Sequence, residues 1–454
     1  MKLVYNVQDK PKFGQLIVFA IQQLLAIMAA TLVMPIIIGN GMQPNAALFG
    51  AGIGTLVYLL FTKFKSPVFL GSSFAFLGSM GAAFAGAATI ELGYLGLILG
   101  AILAGLVYVV IALIVKVAGT GWINKLMPAV VIGPTVAIIG LSLAGNAIGD
   151  LTGTEATYAA AEITTSPYVA LICGLVTLAV VTLCSTYGKK TLKLVPFIIG
   201  ILAGYVVAAI FTAIGFATGN DALKVIDFSF FGNLLPEGSV ALSTFFTLPE
   251  FTFLTALGGF ESIDGGYFGS IAMAYVPVAF VVFAEHIADH KNISSIIETD
   301  LLEEPGLHRT LLGDGVGSMA GAFFGGCPNT TYGESVACVA ITGNASVFTI
   351  LTAAIGAILI SFLSPFVAFV DSIPPCVMGG VCMALYGFIA VSGLKMLQKV
   401  NLEENRNLFT ASVILIAGIG GLSVSFGQIT ITSIACALIL GILVNLLLSK
   451  KTAE

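Results

Sequence analysis

Long apolar segments recur along this chain at short intervals, and they decide which class of structure it can form. Each segment is about 20 residues long, the length a helix needs to cross the hydrocarbon core of a bilayer. Of the 454 residues, 58% are hydrophobic and only 9% are charged, whereas charged residues make up about a quarter of a soluble protein. The sequence therefore predicts an all-α polytopic membrane protein.

We expect fourteen transmembrane segments. They lie near residues 14–38, 46–62, 67–84, 93–115, 127–147, 167–187, 194–217, 270–297, 308–325, 329–342, 346–370, 374–394, 407–425 and 429–449. The third and tenth segments are short and interrupted by polar residues, so we expect broken helices there.

The distribution of basic residues tests this count. If alternate loops face the cytosol, beginning with the N-terminus, all of the 18 basic residues except Lys224 fall on the cytosolic side. This asymmetry agrees with the positive-inside rule. It predicts a multi-pass protein of the cell's inner or plasma membrane with both termini in the cytoplasm. The longest outer loop, 218–269, is expected to carry a short helix or a hairpin.

A polar, β-prone stretch that ends in a carboxylate, Asn329–Glu334, interrupts the tenth apolar segment. A second carboxylate, Glu285, lies within the eighth. Ionisable groups are costly at bilayer depth and commonly mark a substrate or ion pathway. Non-helical backbone is tolerated at that depth only where protein or a water-filled cavity covers it. Together these features predict a transporter with its binding site near the membrane midplane.

A faint internal repeat supports this interpretation. Gly71–Ala75 and Asn329–Gly333 both read small or polar, hydroxyl, hydroxyl, aromatic, small. They lie in the third and tenth segments, and an offset of seven helices makes the two halves inverted in topology. Inverted repeats with broken helices at matching positions point to a substrate site between them. Each broken helix also offers N–H groups at its N-terminus that can bind an acceptor atom.

Four motifs carry a family resemblance across nearly the whole chain: Pro328–Val336, Gly71–Phe76, Ala284–His286 and Glu304–Arg309. With them, the sequence resembles the uracil permeases of the nucleobase–ascorbate transporter family. The resemblance implies fourteen helices in a seven-plus-seven inverted repeat, with a short antiparallel strand in segments 3 and 10. It also implies dimers that form through the gate domains.

The same resemblance implies a division into domains. A core domain would combine residues 1–126 (segments 1–4) with 270–371 (segments 8–11). A gate domain would combine 127–217 (segments 5–7) with 372–454 (segments 12–14), and 218–269 would form the outer loop.

The chemistry of uracil suits the two glutamates. The ring has two N–H donors and two carbonyl acceptors, and a buried site must satisfy all four. Ionised carboxylates accept hydrogen bonds, so Glu285 and Glu334 suit the N–H groups. By resemblance, the backbone N–H groups of Phe74 and Gly333 would bind the carbonyls. The other residues expected at the site are Tyr332 and Tyr386, which with Phe74 could pack against the ring, and Ser73 and Ala30.

Proton symport follows as a hypothesis, because two close carboxylates cannot both ionise cheaply. Glu285, Asp289 and Asp314 are the candidates for proton coupling. Asp289 stands where uracil permeases have a histidine, and the purine-transporting branch often has aspartates at the positions of Asp289 and Asp314. Asp314 could equally cap a helix at the membrane edge. Gln23 stands where the family often has a histidine, and it is expected to orient the site or to link helices.

Alternative functions remain open. A purine (xanthine or uric acid) symporter is favoured by the two aspartates and disfavoured by Glu334, where the purine branch usually has glutamine. A channel would need a continuous pore. An intramembrane enzyme would need a nucleophile–base pair or a metal site. His286 and His290 have the spacing of metal ligands, but no third ligand is evident, and packing or an interfacial position is the simpler interpretation. We expect no cofactor, no metal and no nucleic-acid partner.

Overall fold

The computed structural model describes residues 3–119, 122, 128–153, 165–189, 191–235, 238–426 and 429–449. The proposed boundary between residues 126 and 127 lies outside these ranges. The longer helices are α1 (Phe13–Ile38), α2 (Pro44–Phe61), α3 (Leu77–Ala85), α4 (Ile90–Ala118), α5 (Ala129–Ser142), α6 (Ala144–Thr152), α7 (Pro167–Tyr187), α8 (Pro196–Thr218), α9 (Gly265–Ile297), α10 (Leu307–Gly325), α11 (Gly333–Thr342), α12 (Val347–Ile360), α13 (Ser364–Asp371), α14 (Pro375–Leu397), α15 (Asn405–Ile419) and α16 (Ser433–Ser449). The strands are β1 (Leu70–Ser72), β2 (Asn329–Thr331), β3 (Val424–Phe426) and β4 (Ile429–Ile431).

Within the described ranges, eight helical segments are long and apolar enough to cross a membrane. They are α1, α2, α4, α5 together with α6, α7, α8, α9 and α14. Shorter apolar helices include α11, α12, α15 and α16. The prediction of a mostly helical membrane protein is therefore confirmed, and the two short antiparallel strands predicted in segments 3 and 10 are present as β1 and β2.

Two boundaries differ from the prediction. Helix α9 begins at Gly265, inside the predicted outer loop, because the Asp264 carboxylate accepts a hydrogen bond from the Tyr267 N–H (2.6 Å) and caps the helix. Helix α15 ends at Ile419, and the antiparallel pair β3–β4 follows where apolar composition had predicted the ends of two helices. The rest of the outer loop carries short helical turns, as expected, at Asp221–Leu223, Ser229–Gly232, Leu242–Thr244, Thr252–Ala256 and Leu257–Glu261.

Strands β1 and β2 pair antiparallel deep in the molecule, with Gly71 opposite Thr330. All residues of both strands are buried. Gly71 is required by close packing, since a Cβ there would lie 2.4 Å from the ring of Tyr332. The pairing provides hydrogen bonds for the backbone N–H and C=O groups of both helix breaks. Without it, those groups would need water as their partner.

The helices pack as two groups. In the first helix group, α2 packs against α10 and α12, α4 against α9 and α10, and α11 against α1 and α9. In the second helix group, α14 packs against α5, α6 and α7, α8 packs against α7, and α15 packs against α5 and α16. Strand β4 and α16 also contact α9, so the two groups meet along that helix.

Glycines bring α2 and α10 into backbone contact within the first helix group. A Cβ on Gly50 would lie 2.4 Å from the carbonyl oxygen of Gly321, and one on Gly54 would lie 2.7 Å from that of Gly317. Small residues allow this approach, which is common between membrane helices. The tight contact holds α10, and the strand that follows it, in a fixed place beside α2.

Candidate functional site

A cavity of about 410 Å³ lies between the two helix groups. From the first group it is lined by α1, the β1–α3 junction, α9 and the β2–α11 junction, and from the second by α5, α8 and α14. Eight of the residues predicted for the site line it: Ala30, Ser73, Phe74, Glu285, Asp289, Tyr332, Gly333 and Glu334. Thus residues separated by more than two hundred positions in the sequence meet at one place.

The two other predicted residues lie behind this lining. Tyr386 is buried and packs edge-on against Phe74, with 6.1 Å between ring centroids. Asp314 is 1% exposed and lies behind strand β2. Each therefore contacts a lining residue, Phe74 or Thr330, without itself lining the cavity in this conformation.

The acidic wall of the cavity comes from one face of α9. Glu285, Asp289 and Asn292 are spaced i, i+4 and i+7, so their side chains share that face, and all three line the cavity. Asn292 was missed in the sequence, although its spacing from Glu285 would have identified it. Its amide offers both donors and an acceptor beside the two carboxylates.

The hydroxyls of strand β2 point in opposite directions and reach two different acids. Thr331 donates to Asp289 Oδ2 at 3.0 Å, and Thr330 donates to Asp314 Oδ2 at 3.3 Å. Alternation of side chains along a strand explains the opposite directions. The strand therefore links a carboxylate inside the cavity with one behind it.

Unlike the two threonine hydroxyls, the hydroxyl of Ser73 is not bonded to an acid among the described residues. Ser73 is 1% exposed and lines the cavity, and its oxygen has no hydrogen-bond partner within the described ranges. A buried hydroxyl without a partner is costly. A polar ligand that reached this oxygen from the cavity would supply the missing hydrogen bond.

Two helices begin at the cavity. Helix α11 starts at Gly333, which is exposed there, and a 3₁₀ turn, Phe74–Phe76, leads into α3. The first N–H groups of a helix have no partner within it, and they carry partial positive charge. Both helix starts can therefore donate hydrogen bonds to a carbonyl or an anion in the cavity.

Gln23 links helices, as one of the two expectations for it stated. Its amide is 2% exposed and donates to Ser335 Oγ, which also accepts the Phe69 N–H at 3.0 Å. Ser335 follows Glu334 in the first turn of α11. Gln23 thus ties α1 to the helix that carries Glu334, and it does not line the cavity itself.

The histidines are engaged in hydrogen bonds in the core. His286 contacts Asp314 and Thr310, while His290 contacts Tyr58 and the His286 carbonyl. Both are fully buried, so the interfacial position considered for His290 is wrong. The described part of the chain contains no cluster of three His, Cys, Asp or Glu residues able to hold a metal ion.

Other lining residues carried no signal in the sequence. Phe388 and Ser392, four residues apart on α14, face the cavity from the second helix group, and Lys193 lies at its edge. They sit in or beside ordinary apolar segments, so only the packing of α14 against α5 shows that they reach the site.

A mostly helical membrane fold with a cavity between two helix groups, bordered by buried acids and by the starts of two broken helices, is typical of a transporter. The chain belongs to a permease family: the family model Xan_ur_permease, described as "Permease family", matches residues 14–427. It is therefore an integral membrane protein of that family.

Named relatives are similar over nearly their whole length. The uracil permease of Bacillus caldolyticus is 39% identical over 451 residues, which cover 98% of this chain and 95% of that protein. The uracil permease of Escherichia coli (strain K12) is 36% identical over 445 residues, covering 97% of this chain and 93% of that protein.

A solved structure shares the fold at low sequence identity. The transmembrane domain of the cyanobacterial bicarbonate transporter BicA matches with a TM-score of 0.64 and 16% identity, covering 96% of this chain and all of that one. At this identity the likeness concerns the fold alone.

Proposed function

We propose that this protein is a proton-coupled symporter that imports uracil across the cell membrane by alternating access. The observation that carries the proposal is a single cavity lined by Glu285, Glu334 and the unpartnered hydroxyl of Ser73, with two helix starts beside them. Relatives named uracil permease, similar over nearly the full chain, support the choice of substrate.

The groups around the cavity complement the polar groups of uracil. Glu285 and Glu334 would accept its two N–H groups, and the backbone N–H groups of Phe74 and Gly333 would bind its carbonyls. The rings of Phe74 and Tyr332 line the cavity and would pack against the base. Tyr386 would act through Phe74, and Ala30 would leave room for the ring. This arrangement would satisfy all four polar groups of the substrate.

Movement of one helix group against the other would carry the site across the membrane. We propose fourteen transmembrane segments in a seven-plus-seven inverted repeat, with both termini cytoplasmic. The first helix group would correspond to the core domain and the second to the gate domain, through which the protein could dimerise. The location of the cavity between the two groups supports this division.

Protons would enter the cycle through the buried acids. Glu285, Glu334 and Asp289 line one cavity, and ionising all three together would be costly. A proton bound with the substrate reduces that cost. We therefore propose Glu285, Asp289 and Asp314 as the groups that couple proton and substrate movement.

One observation favours a second substrate class. Asp289 faces the cavity directly, and its position is one where purine-transporting relatives often carry aspartate. A xanthine or uric acid symporter of the same fold is therefore the alternative.

Uptake by proteoliposomes tests both candidates. Radiolabelled uracil and xanthine are supplied with and without an inward proton gradient to wild type, Glu334→Gln and Glu261→Gln. Glu261 is exposed and lies outside the cavity, which makes it the matched control. We expect gradient-driven uracil uptake that Glu334→Gln abolishes and Glu261→Gln retains. Uptake of xanthine alone would establish the alternative, and uptake of neither base would refute both.

A further inference from the structure

An imidazole and a carboxylate form a buried pair behind strand β2. His286 Nδ1 lies 2.7 Å from Asp314 Oδ2, and the two side chains are 0% and 1% exposed. The pair lies outside the cavity lining. Burying a charge is costly unless a partner neutralises it. The free-energy cost of burying this pair therefore depends on the total charge of the two groups more than on the charge of either one.

Hydrogen bonds around the pair determine how many protons it holds. The Thr310 hydroxyl donates to the Leu307 carbonyl at 3.1 Å, so its oxygen is left to accept from His286 Nε2 at 3.0 Å. The Nε2 atom therefore carries hydrogen. A hydrogen bond between Nδ1 and Oδ2 then requires one further proton, held either by the imidazole or by the carboxyl group. In both forms the pair is neutral overall.

The groups around His286 leave no second positive charge beside it. The ring of His290 is stacked on it, with 4.0 Å between centroids, and its Nδ1 donates to the His286 carbonyl at 2.8 Å. His290 Nε2 lies 2.7 Å from the Tyr58 hydroxyl, which itself donates to Ser66 Oγ at 2.6 Å, and complete burial of the His290 ring favours its neutral form. From α4, Tyr108 presents its ring at 90° to His286. Within the part of the chain that the structure describes, the other ionisable groups that interact electrostatically with Asp314 are Tyr58, Tyr108, Glu285 and Asp289.

A hydroxyl connects the pair with the cavity. Thr330 lines the cavity and donates to Asp314 Oδ2 at 3.3 Å, while Oδ1 of Asp314 has no partner within the described ranges. Loss of the proton from the pair would leave a buried carboxylate whose remaining donors are the Thr330 hydroxyl and the backbone N–H of Thr331. A ligand in the cavity that altered the hydrogen bond of Thr330 would change the stability of this carboxylate, which would link proton binding here to occupancy of the cavity.

We propose that His286 and Asp314 together form the site that holds the transported proton, with His286 as the positioning residue that keeps the pair neutral. The proton enters the pair from water in the cavity past Thr330 and returns to water on the other side of the membrane. No bond other than that to the proton is made or broken. This inference rests on the proposed function as a proton-coupled transporter.

The test separates exchange of substrate from its accumulation. His286→Asn retains an amide near the Nδ1 position but removes the imidazole that shares the proton with Asp314, and His290→Asn is the matched control on the same helix. For His286→Asn we expect uracil counterflow close to wild type, with gradient-driven accumulation reduced at least about tenfold, a size typical of coupling between sites. His290→Asn is expected to accumulate uracil, with folding of both variants checked by thermal unfolding in detergent.

A second measurement does not depend on accumulation. Uracil added to the purified protein in weakly buffered detergent solution should change proton binding, followed with a pH indicator, in wild type and His290→Asn but not in His286→Asn. Asp314→Asn provides a second arm and is also expected to lose accumulation, so the test survives if His286→Asn fails to fold. If folded His286→Asn or folded Asp314→Asn accumulated uracil and exchanged protons as wild type does, this inference would be wrong while the proposed function would stand. Absence of uracil transport in wild type would instead overturn the proposed function.

Discussion

The two strand–helix breaks at the cavity are similar in backbone and different in chemistry. Strands β1 and β2 pair with each other, and each leads into a helix that starts beside the cavity. On the β2 side, Thr330 and Thr331 are bonded to buried acids. On the β1 side, Ser73 has a hydroxyl without a partner within the described ranges. The β2 break is thus held in place by hydrogen bonds to the protein's own acids. The β1 break retains a hydroxyl that is free to bond a ligand.

The aromatic residues of the two motifs, Phe74 and Tyr332, differ in the same way. Tyr332 donates its hydroxyl to the Ser72 carbonyl at 2.7 Å, which binds the second break to the first. Phe74 has no such group, and its ring contacts Tyr386 across the boundary between the helix groups. The β2 break is therefore the anchored part of the site, and the β1 break is the part that meets the opposing helix group.

The largest effect is expected from a change that prevents the two breaks from pairing. Gly71→Ala would place a methyl group 2.4 Å from the Tyr332 ring, and overpacking of this kind costs about 1–3 kcal/mol. We expect a clear fall in the thermal unfolding temperature in detergent. In Gly78→Ala the new methyl would meet only Ile434, at 3.9 Å, so this helix variant should be at least as stable as wild type. Equal melting of the two variants would contradict the steric requirement at Gly71.

Removing the anchor of β2 should have the next largest effect. Thr331→Val keeps the β-branched shape but leaves Asp289 Oδ2 without its hydroxyl donor, and an unsatisfied buried acceptor costs about 1–3 kcal/mol. We expect both the unfolding temperature and the uracil uptake rate to fall. The control is Thr135→Val, where a buried hydroxyl donates to the Val131 carbonyl of its own helix and, among the described residues, to no other group. Uptake at the wild-type rate in Thr331→Val would show that Asp289 does not need this anchor.

A smaller effect, of a different kind, is expected at the β1 break. Ser73→Ala removes a hydroxyl that makes no hydrogen bond to the protein within the described ranges, so the unfolding temperature should stay close to that of wild type. If the hydroxyl binds uracil, the loss of about 0.5–1.5 kcal/mol weakens binding by roughly two- to tenfold. Titration calorimetry with uracil measures this. Unchanged affinity would mean that Ser73 has no part in binding.

The smallest effect is expected where the segments leading to the two breaks meet at the surface. Lys65, ahead of β1, pairs with Glu304, ahead of α10 and β2, and both side chains are substantially exposed. The hydrogen bond and charge of Lys65 lower the pKa of Glu304. A lowered pKa in the folded state adds stability above the pKa of the unfolded chain, and this stability is lost as pH falls through the folded-state value.

Unfolding temperatures of wild type and Glu304→Gln should therefore differ slightly at neutral pH and converge in acid or high salt. A difference that persists in acid would show that the pair is not its source.

Much of the site could be predicted because polar residues are rare within the apolar segments. Glu285, Glu334 and the two hydroxyl motifs stand out for that reason, and helical spacing leads from Glu285 to Asp289 and would have led to Asn292. No comparable signal marks Ser392 or Phe388, since serine and phenylalanine are common in membrane helices. The hydrogen bond between Gln23 and Ser335 joins residues 312 positions apart, and local sequence holds no information about such a pairing.

The sequence by itself determined the membrane class, because so few charges leave most segments no stable environment except lipid and protein. It also determined the two helix breaks, because polar, β-prone residues disfavour helix where apolar neighbours require burial. Only the tertiary structure decided that Asp289 faces the cavity while Asp314 lies behind it, paired with His286. Those positions depend on the rotation and packing of α9 and α10 around strand β2, which are set by contacts between segments that are distant in the chain.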